Sequence, residues 1–502
     1  MFAVKLGRRV AVAVLLIAAV AYGAMLFRHL SFAAGGSDSS GYLNEARIMA
    51  SRATTRPVVL LRTLHLPSQY GFVAVPLGFL QSRIDPHVMV PLYPPGLPAH
   101  FAIVGSIAGW TRAPFFLPPI AAFACLGLMF VLGRQFGLSE WQSVAASVIL
   151  AACPVFIFMS AQPMSDVFAT MWTLVAMVLV IPSGSEGSVW EAGTKPHLAT
   201  TRPHRFLATL GMTRAALAGA AFAISVCIRP SNLLLAIPLA FAMRWRPSRL
   251  ALAIAGAVPF AIGLLAWNYA LFGNPIRTGY GDMTYMVSWA FPRERLPHYA
   301  YWLAAQLTPL IFPGGLLVAF DRRVERWRRA VLISWFVPFF TFYCFYGAYE
   351  TWWYTRFLLP AIPPLIIGFL LLIRKPRVLI ILVAAILALA IWQDRRLQPL
   401  AVGEDESIYT EIVHRFNFPK DAIVMSGQFT GAYLYYTGRD CIRWDQLDND
   451  RFQLLRAYVT NANLRWYAVL TPYEWEQVQK FNASWTKLDE HRGVLFLRLA
   501  GD

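Results

Sequence analysis

Long apolar runs alternate with short clusters of arginine and lysine along most of this 502-residue chain, and that alternation constrains its fold more than any other feature. A helix crossing a bilayer core of ~30 Å needs ~17 to 25 largely apolar residues. Inside lipid, only helices or closed barrels satisfy every backbone polar group. Runs approaching or reaching that length recur from residue 10 to residue 393. Hydrophobic residues make up 57% of the chain and charged residues 14%, below the ~25% of an ordinary soluble domain, so water cannot be its only solvent.

The net charge of +17 does not point to nucleic acid, because the cations sit between apolar runs and form no continuous stripe or recognisable binding motif. They read as topology signals. Short loops rich in Lys and Arg stay in the cytoplasm, and the clusters are Lys5/Arg8/Arg9, Arg134, the stretch from Ser183 to Arg214 with Lys195, Arg202 and Arg205, Arg244/Arg246/Arg249, Arg322/Arg323/Arg326/Arg328/Arg329 and Arg374/Lys375/Arg377. The chain must cross twice between successive clusters. Spans are expected at 10–30, 115–133, 141–159, 166–182, 213–228, 231–243, 250–270, 302–320, 330–346, 357–373 and 377–393, about eleven in all. The first, from Val10 through Phe27, lacks a small-residue cleavage site and reads as a retained helix rather than a signal peptide.

Leu97 to Trp110 is also apolar, but it is short, and counting it as a span would invert every later loop. It reads as a re-entrant or juxtamembrane helix at the outer interface. The segments 213–228 and 231–243 are both short and are separated by Arg229-Pro230-Ser231-Asn232, a break of the kind that lines a cavity. The outer segments are then Ser31 to Pro114, Phe272 to Tyr301, Tyr346 to Arg356 and everything after Asp394. Past that point charges become frequent. Ala422 to Met425, Trp466 to Leu470 and Val494 to Leu497 look like strands and Glu474 to Phe481 like a helix, as in a small α/β domain. A membrane part over 1–394, with its first outer loop at 31–114, and an extracytoplasmic domain over 395–502 are therefore expected. The five cysteines are scattered and suggest no disulfide framework or zinc site, and Asn482-Ala483-Ser484 matches a glycosylation pattern too short to carry a role.

Acidic residues are scarce, so those at the outer ends of spans are the candidates for chemistry. Asp38, in Gly35-Gly36-Ser37-Asp38-Ser39-Ser40-Gly41-Tyr42, and Asp166, in Pro163-Met164-Ser165-Asp166, each precede a helical run. Each could be an N-cap. Alternatively the two converge, one as a general base and both holding a divalent cation. Tyr42, Tyr93, His100, Arg229, Asn268, Arg277, Tyr280, Asp282, Glu350 and Arg356 share that face with Trp352, Trp353 and Tyr354, whose ordinary role is to anchor helices at the headgroup level. Arg229 and Arg356 lie at helix breaks or ends, where a guanidinium can hold a phosphate through two hydrogen bonds. No Walker loop, Gly-x-Gly-x-x-Gly, Gly-x-Ser-x-Gly or His-Glu-x-x-His occurs, so nucleotide-driven pumping and the familiar soluble hydrolases have no support.

The order of these elements resembles the GT-C superfamily of lipid-linked-sugar glycosyltransferases, in its bacterial protein-mannosyltransferase-like and aminoarabinose-transferase-like branch. Asp38 with Tyr42 and Ala46, Tyr93-Pro94-Pro95-Gly96, Pro163-Met164-Ser165-Asp166, Ile228-Arg229-Pro230-Ser231-Asn232, Asn268 with Phe272-Gly273-Asn274-Pro275 and Thr278-Gly279-Tyr280, and Arg356-Phe357-Leu358-Leu359-Pro360 are similar to its successive motifs. Many relatives carry Asp-Glu where this chain has Asp38-Ser39, and Glu45, two helical turns on, is the candidate substitute.

The resemblance implies an α-helical polytopic GT-C fold with a small α/β domain, in a bacterial cytoplasmic membrane. It implies inverting transfer from a polyprenyl-phosphate-linked sugar donor to a lipid, glycan or protein acceptor on the outer side, among membrane lipids and with no nucleic acid. Asp38 and Asp166 would be catalytic and would hold any divalent metal ion. Tyr42, Glu45, Tyr93, Arg229, Asn232, Asn268, Tyr280 and Arg356 would bind substrate. A transporter or flippase, a polymerase or ligase for lipid-linked saccharides, and a non-catalytic scaffold are the competing readings.

Overall fold

The computed structural model describes residues 2–182, 202–281, 285–347, 350–416, 418–419 and 421–500. Lys195 and Asp282 lie outside the described residues. Helices at Phe2–Arg28, Leu117–Gln135, Ser165–Val180, Arg202–Ile228, Pro247–Phe272, Pro292–Leu316 (kinked at Thr308, φ 70°), Arg326–Cys344, Ile362–Leu372 and Pro376–Leu397 overlap expected spans. The segments of two further expected spans are interrupted. Glu140–Ala151 and Pro154–Ser160 meet at a 67° bend, where Pro154 lacks the N–H that would continue the first helix. Pro230–Leu235 is a 3-10 turn leading into Ala236–Ala242. Five described helices are long and apolar enough to cross a membrane on their own, and a sixth if the bent pair is one span.

One expectation needs correcting. The segment 213–228 is not short: it is the end of a 27-residue helix, Arg202–Ile228. Its first turns carry Arg202, His204 and Arg205, so a hydropathy reading finds only the apolar remainder. This helix packs along Pro247–Phe272 through small residues. A Cβ on Gly219 would overlap the Ala253 carbonyl and one on Gly256 the Ala216 carbonyl, so the two backbones touch, as small-residue interfaces allow where lipid provides no hydrophobic drive.

The apolar stretch after Tyr93 forms a 13-residue helix, Gly96–Ala108, shorter than the ~17 residues a crossing needs. Its start lies against the backbone of Cys227 and Ile228, and just past its end the Trp110 carbonyl accepts a bond from Tyr435 at 3.0 Å.

That domain is a five-stranded mixed sheet of β4 (Ala422–Ser426), β5 (Ile442–Arg443), β6 (Arg465–Leu470), β7 (Trp485–His491) and β8 (Val494–Leu499), in the order β5-β4-β6-β8-β7. The β5-β4-β6 half is parallel and the rest antiparallel. The segment between Phe2–Arg28 and Leu117–Gln135 contributes a smaller sheet of β1 (Arg56–Pro57), β2 (Phe79–Gln81) and β3 (Val88–Pro91), ordered β1-β3-β2. Segment and domain share one core, in which Val58, Leu61 and Val73 pack with Met425, Trp466 and Leu497. Polar ties reinforce it: Asn44 donates to the Gly431 carbonyl at 2.9 Å, Asp440 accepts from the Val59 N–H at 2.7 Å, and the Arg47 guanidinium lies 3.7 Å over the Tyr435 ring. That segment and the C-terminal domain thus pack together on one face of the helical part.

Candidate active site

Four chain breaks at that face bring the site together. Asp38 opens the helix Asp38–Ala50, and Asp166 lies in the first turn of Ser165–Val180. Neither caps its helix. The cap positions are Ser37 and Met164, and neither makes a side-chain cap bond. Each carboxylate instead faces an arginine from a distant segment. Asp38 Oδ2 accepts from Arg356 Nη2 at 2.9 Å, and Asp166 Oδ1 lies 2.8 Å from Arg229 Nη1. Arg229 is placed by the break after Arg202–Ile228, and Arg356 by the 3-10 stretch Trp352–Ala361. Arg229 Nη1 also reaches the Arg356 carbonyl at 3.5 Å, and both carboxylates act electrostatically on Arg356, which joins the two pairs into one cluster.

The pairs differ in access. Asp166 is fully buried and Arg229 is 12% exposed, whereas Asp38 is 29% exposed beside an Arg356 that is 9% exposed. Taking a charge from water costs several kcal/mol, so the Asp166–Arg229 pair holds only while both partners are present. Asp38 keeps an open side.

Aromatic rings wall the cluster. Tyr93 donates to Asp38 Oδ1 at 2.6 Å, and its oxygen lies 2.8 Å from Ser37 Oγ. Burial, then the Asp38 charge, raises the Tyr93 phenol well above its usual range, which keeps it a donor. The Tyr42 ring lies 4.6 Å from Tyr93 and its hydroxyl donates to Ser165 at 3.2 Å, linking the two acidic turns. Tyr280 meets Tyr93 edge-on at 6.4 Å. Trp353, Tyr354 and Phe357 lie 5.2 to 5.5 Å from the Arg356 guanidinium, and Phe357 lies 5.0 Å from that of Arg229. The expectation that Trp353 and Tyr354 only anchor a helix is therefore too narrow, since they hold a cation in place.

Asp38, Asp166, Tyr42, Tyr93, Tyr280, Arg229 and Arg356 thus converge. Three other sequence candidates do other things. Asn232 is fully buried and donates to Thr173 Oγ1 and the Ser225 carbonyl, both at 3.4 Å, fixing the turn that carries Arg229. Asn268 donates to the Pro275 carbonyl at 3.1 Å, shaping the loop before Tyr280. Glu45 is fully buried without a hydrogen-bond partner, and burial pushes its carboxyl well above the ordinary range, so it is no substitute for a charged second carboxylate. Sequence reasoning missed Tyr343, whose hydroxyl donates to Ser231 at 2.7 Å beside Arg229. It also missed Glu406, from the helix Val402–Arg415, whose carboxylate covers the Gly35 backbone and feels the Asp38 charge.

The donor set is poor for a divalent ion. Among the described residues no three His, Cys, Asp or Glu side chains converge as ligands, and Asp38 and Asp166 each meet a guanidinium first. The two carboxylates and the two arginines form one charge-balanced cluster.

No family model and no curated protein matches the sequence. Solved structures do match in fold. ArnT from Cupriavidus metallidurans in its apo state superposes with a TM-score of 0.60 at 11% identity, over 98% of either chain. The same protein bound to undecaprenyl phosphate gives 0.56 at 12% identity, over 96% of this chain and 97% of that one. The apo oligosaccharyltransferase of Archaeoglobus fulgidus gives 0.51 at 14% identity, over 91% of this chain and 69% of its own. This chain is therefore a polytopic membrane protein with the fold of ArnT, carrying a small C-terminal sheet domain.

Proposed function

We propose that the protein is a membrane glycosyltransferase that moves a sugar from a polyprenyl-phosphate donor to an acceptor on the outer face of the membrane. The observation that carries this reading is the pairing of a partly exposed Asp38 with Arg356, beside a buried Asp166–Arg229 pair, at the face covered by the C-terminal domain. The fold it shares with ArnT, one of whose structures holds undecaprenyl phosphate, supports a polyprenyl-linked donor. The basic loops orient the chain with its N-terminus in the cytoplasm and its C-terminal domain outside. Nucleotide sugars are ordinarily confined to the cytoplasm, so a sugar used outside must already have crossed on a lipid.

In this mechanism the acceptor nucleophile approaches from the open side of Asp38 and attacks the anomeric carbon. Its proton passes to the Asp38 carboxylate, which Tyr93 and Arg356 hold in place. The bond between the anomeric carbon and the phosphate oxygen breaks, and its electrons leave with polyprenyl phosphate. Arg356 and Arg229, fixed by aromatic faces and by Asp166, stabilise the charge gathering on that leaving group. Attack opposite the leaving phosphate inverts the anomeric centre. A divalent ion on Asp38 and Asp166 is the alternative source of positive charge, and it would have to displace both arginines.

The test is to incubate the purified protein with a polyprenyl-phosphate sugar and candidate acceptors and to measure free polyprenyl phosphate. Acceptor-dependent release supports transfer. Movement of intact donor across a bilayer without release would show a carrier instead.

A further inference from the structure

At the far end of the helix that Arg356 begins lies a cavity of about 560 Å³. It is lined by the turn after Leu117–Gln135, the start of Glu140–Ala151, the loop before Arg326–Cys344, and the junction between Ile362–Leu372 and Pro376–Leu397. Four cations reach it: Arg323, Arg328, Arg374 and Lys375. Two are engaged, Arg323 with Asp321 at 2.7 Å and Arg328 with the Phe136 carbonyl at 3.0 Å. Arg374 and Lys375 are both exposed and make no hydrogen bond or close ion pair among the described residues, with Asp321, already bonded to Arg323, the carboxylate that feels the Arg374 charge. Glu325 is the one acidic side chain in the lining.

The cavity is built rather than incidental. Gln142 Nε2 donates to the carbonyls of Leu370 at 2.9 Å and Ile373 at 2.7 Å, stitching two of its walls together. At Gly137 the backbone takes φ +93°, a conformation that favours glycine, and the Arg328 guanidinium fills the space a Cβ would take there, its Nη1 2.7 Å from that position. The remaining wall is apolar, formed by Trp141, Leu371 and Leu379. Trp141 is 58% exposed, and Ile380 and Ile381, beside Leu379, are each 68% exposed, an apolar surface on a helix long and apolar enough to cross a membrane.

We propose that this cavity binds the headgroup of an anionic phospholipid, with its phosphate at Arg374 and Lys375 and its acyl chains along Trp141 and the Pro376–Leu397 helix. Cations beside an apolar, lipid-facing wall fit a phosphate tethered to acyl chains better than a free anion. Basic pockets between spans at the cytoplasmic end bind such headgroups elsewhere. The site lies at the opposite end of the Trp352–Leu372 helix from Arg356.

The experiment titrates the full-length protein in detergent with phosphatidylglycerol, phosphatidylcholine and inorganic phosphate, reading bound lipid by native mass spectrometry. Phosphatidylglycerol should bind more tightly than phosphatidylcholine. The double variant Arg374→Gln/Lys375→Gln should lose ~25-fold of that affinity, on the order of fivefold per cation. Glu325→Gln should tighten binding, a gain that misfolding cannot produce. Equal retention of the two lipids, or a double variant that holds phosphatidylglycerol as the wild type does, overturns the proposal. Displacement of phosphatidylglycerol by inorganic phosphate at comparable affinity would overturn it too, by assigning the cavity to the free anion.

Discussion

Replacing Asp38 by asparagine keeps the side-chain shape and removes the charge, which separates folding from chemistry at this position. Asp38 accepts from Tyr93 at 2.6 Å and from Arg356 at 2.9 Å, and asparagine can accept only one of these bonds. A hydrogen bond to a charged group is worth ~1.5–3 kcal/mol. Asp38 is 29% exposed, and Asp166 still acts on Arg356, so the expected loss of folding stability is only about 1–2 kcal/mol. Removing a general base costs ~10²- to 10⁴-fold in rate, equivalent to ~3–5 kcal/mol of barrier. Asp38→Asn should therefore fold, insert and melt close to the wild type while releasing polyprenyl phosphate at least a hundredfold more slowly. Thermal unfolding in detergent and quantified lipid release from the same preparation measure both quantities. Near-normal release from a folded Asp38→Asn protein would refute the role given to this carboxylate.

Asp166→Asn should behave differently. It strands the largely buried Arg229, so it should cost ~3–5 kcal/mol and lower the melting temperature markedly along with activity; unchanged melting would contradict a structural ion pair. Burial, then Asp405 and Asp38, raises the Glu406 carboxyl from 4.5 to about 7. A carboxyl raised on folding supports the folded state fully below its unfolded value and loses that support as pH rises through its folded value. The wild type should therefore lose stability between about pH 4.5 and 7 and Glu406→Gln should lose less, whereas parallel profiles would count against this burial. Because each carboxylate faces a guanidinium, prolonged chelation should leave transfer unchanged; loss of activity restored by a divalent ion would favour the metal alternative.

The parts of the site legible in the sequence were those that interrupt apolar runs. Asp38, Asp166, Arg229 and Arg356 stand at such interruptions, and the parity of the basic loops placed all four on one face. The pairing was not legible, because Asp38 and Arg356 are 318 residues apart and either arginine could have met either carboxylate. Glu45, Asn232 and Asn268 show the limit of reading by residue type: a polar side chain near a break satisfies a turn as readily as it faces a substrate.

The shared core of the outer loop and C-terminal domain was also hidden. β1 has two residues and β2 three, too few for a period of two to register, and β7 is an edge strand rich in charge, as edges tend to be. Glu406 was missed for a related reason: it lies in a charged amphipathic helix whose pattern says which face is buried but not what it covers.

The most direct test of the central claim is the position of the phosphate in a structure of this protein bound to polyprenyl phosphate. The account predicts phosphate oxygens within hydrogen-bonding distance of Arg356 or Arg229, with Asp38 open on the side from which an acceptor would come. A phosphate held away from both arginines would contradict it.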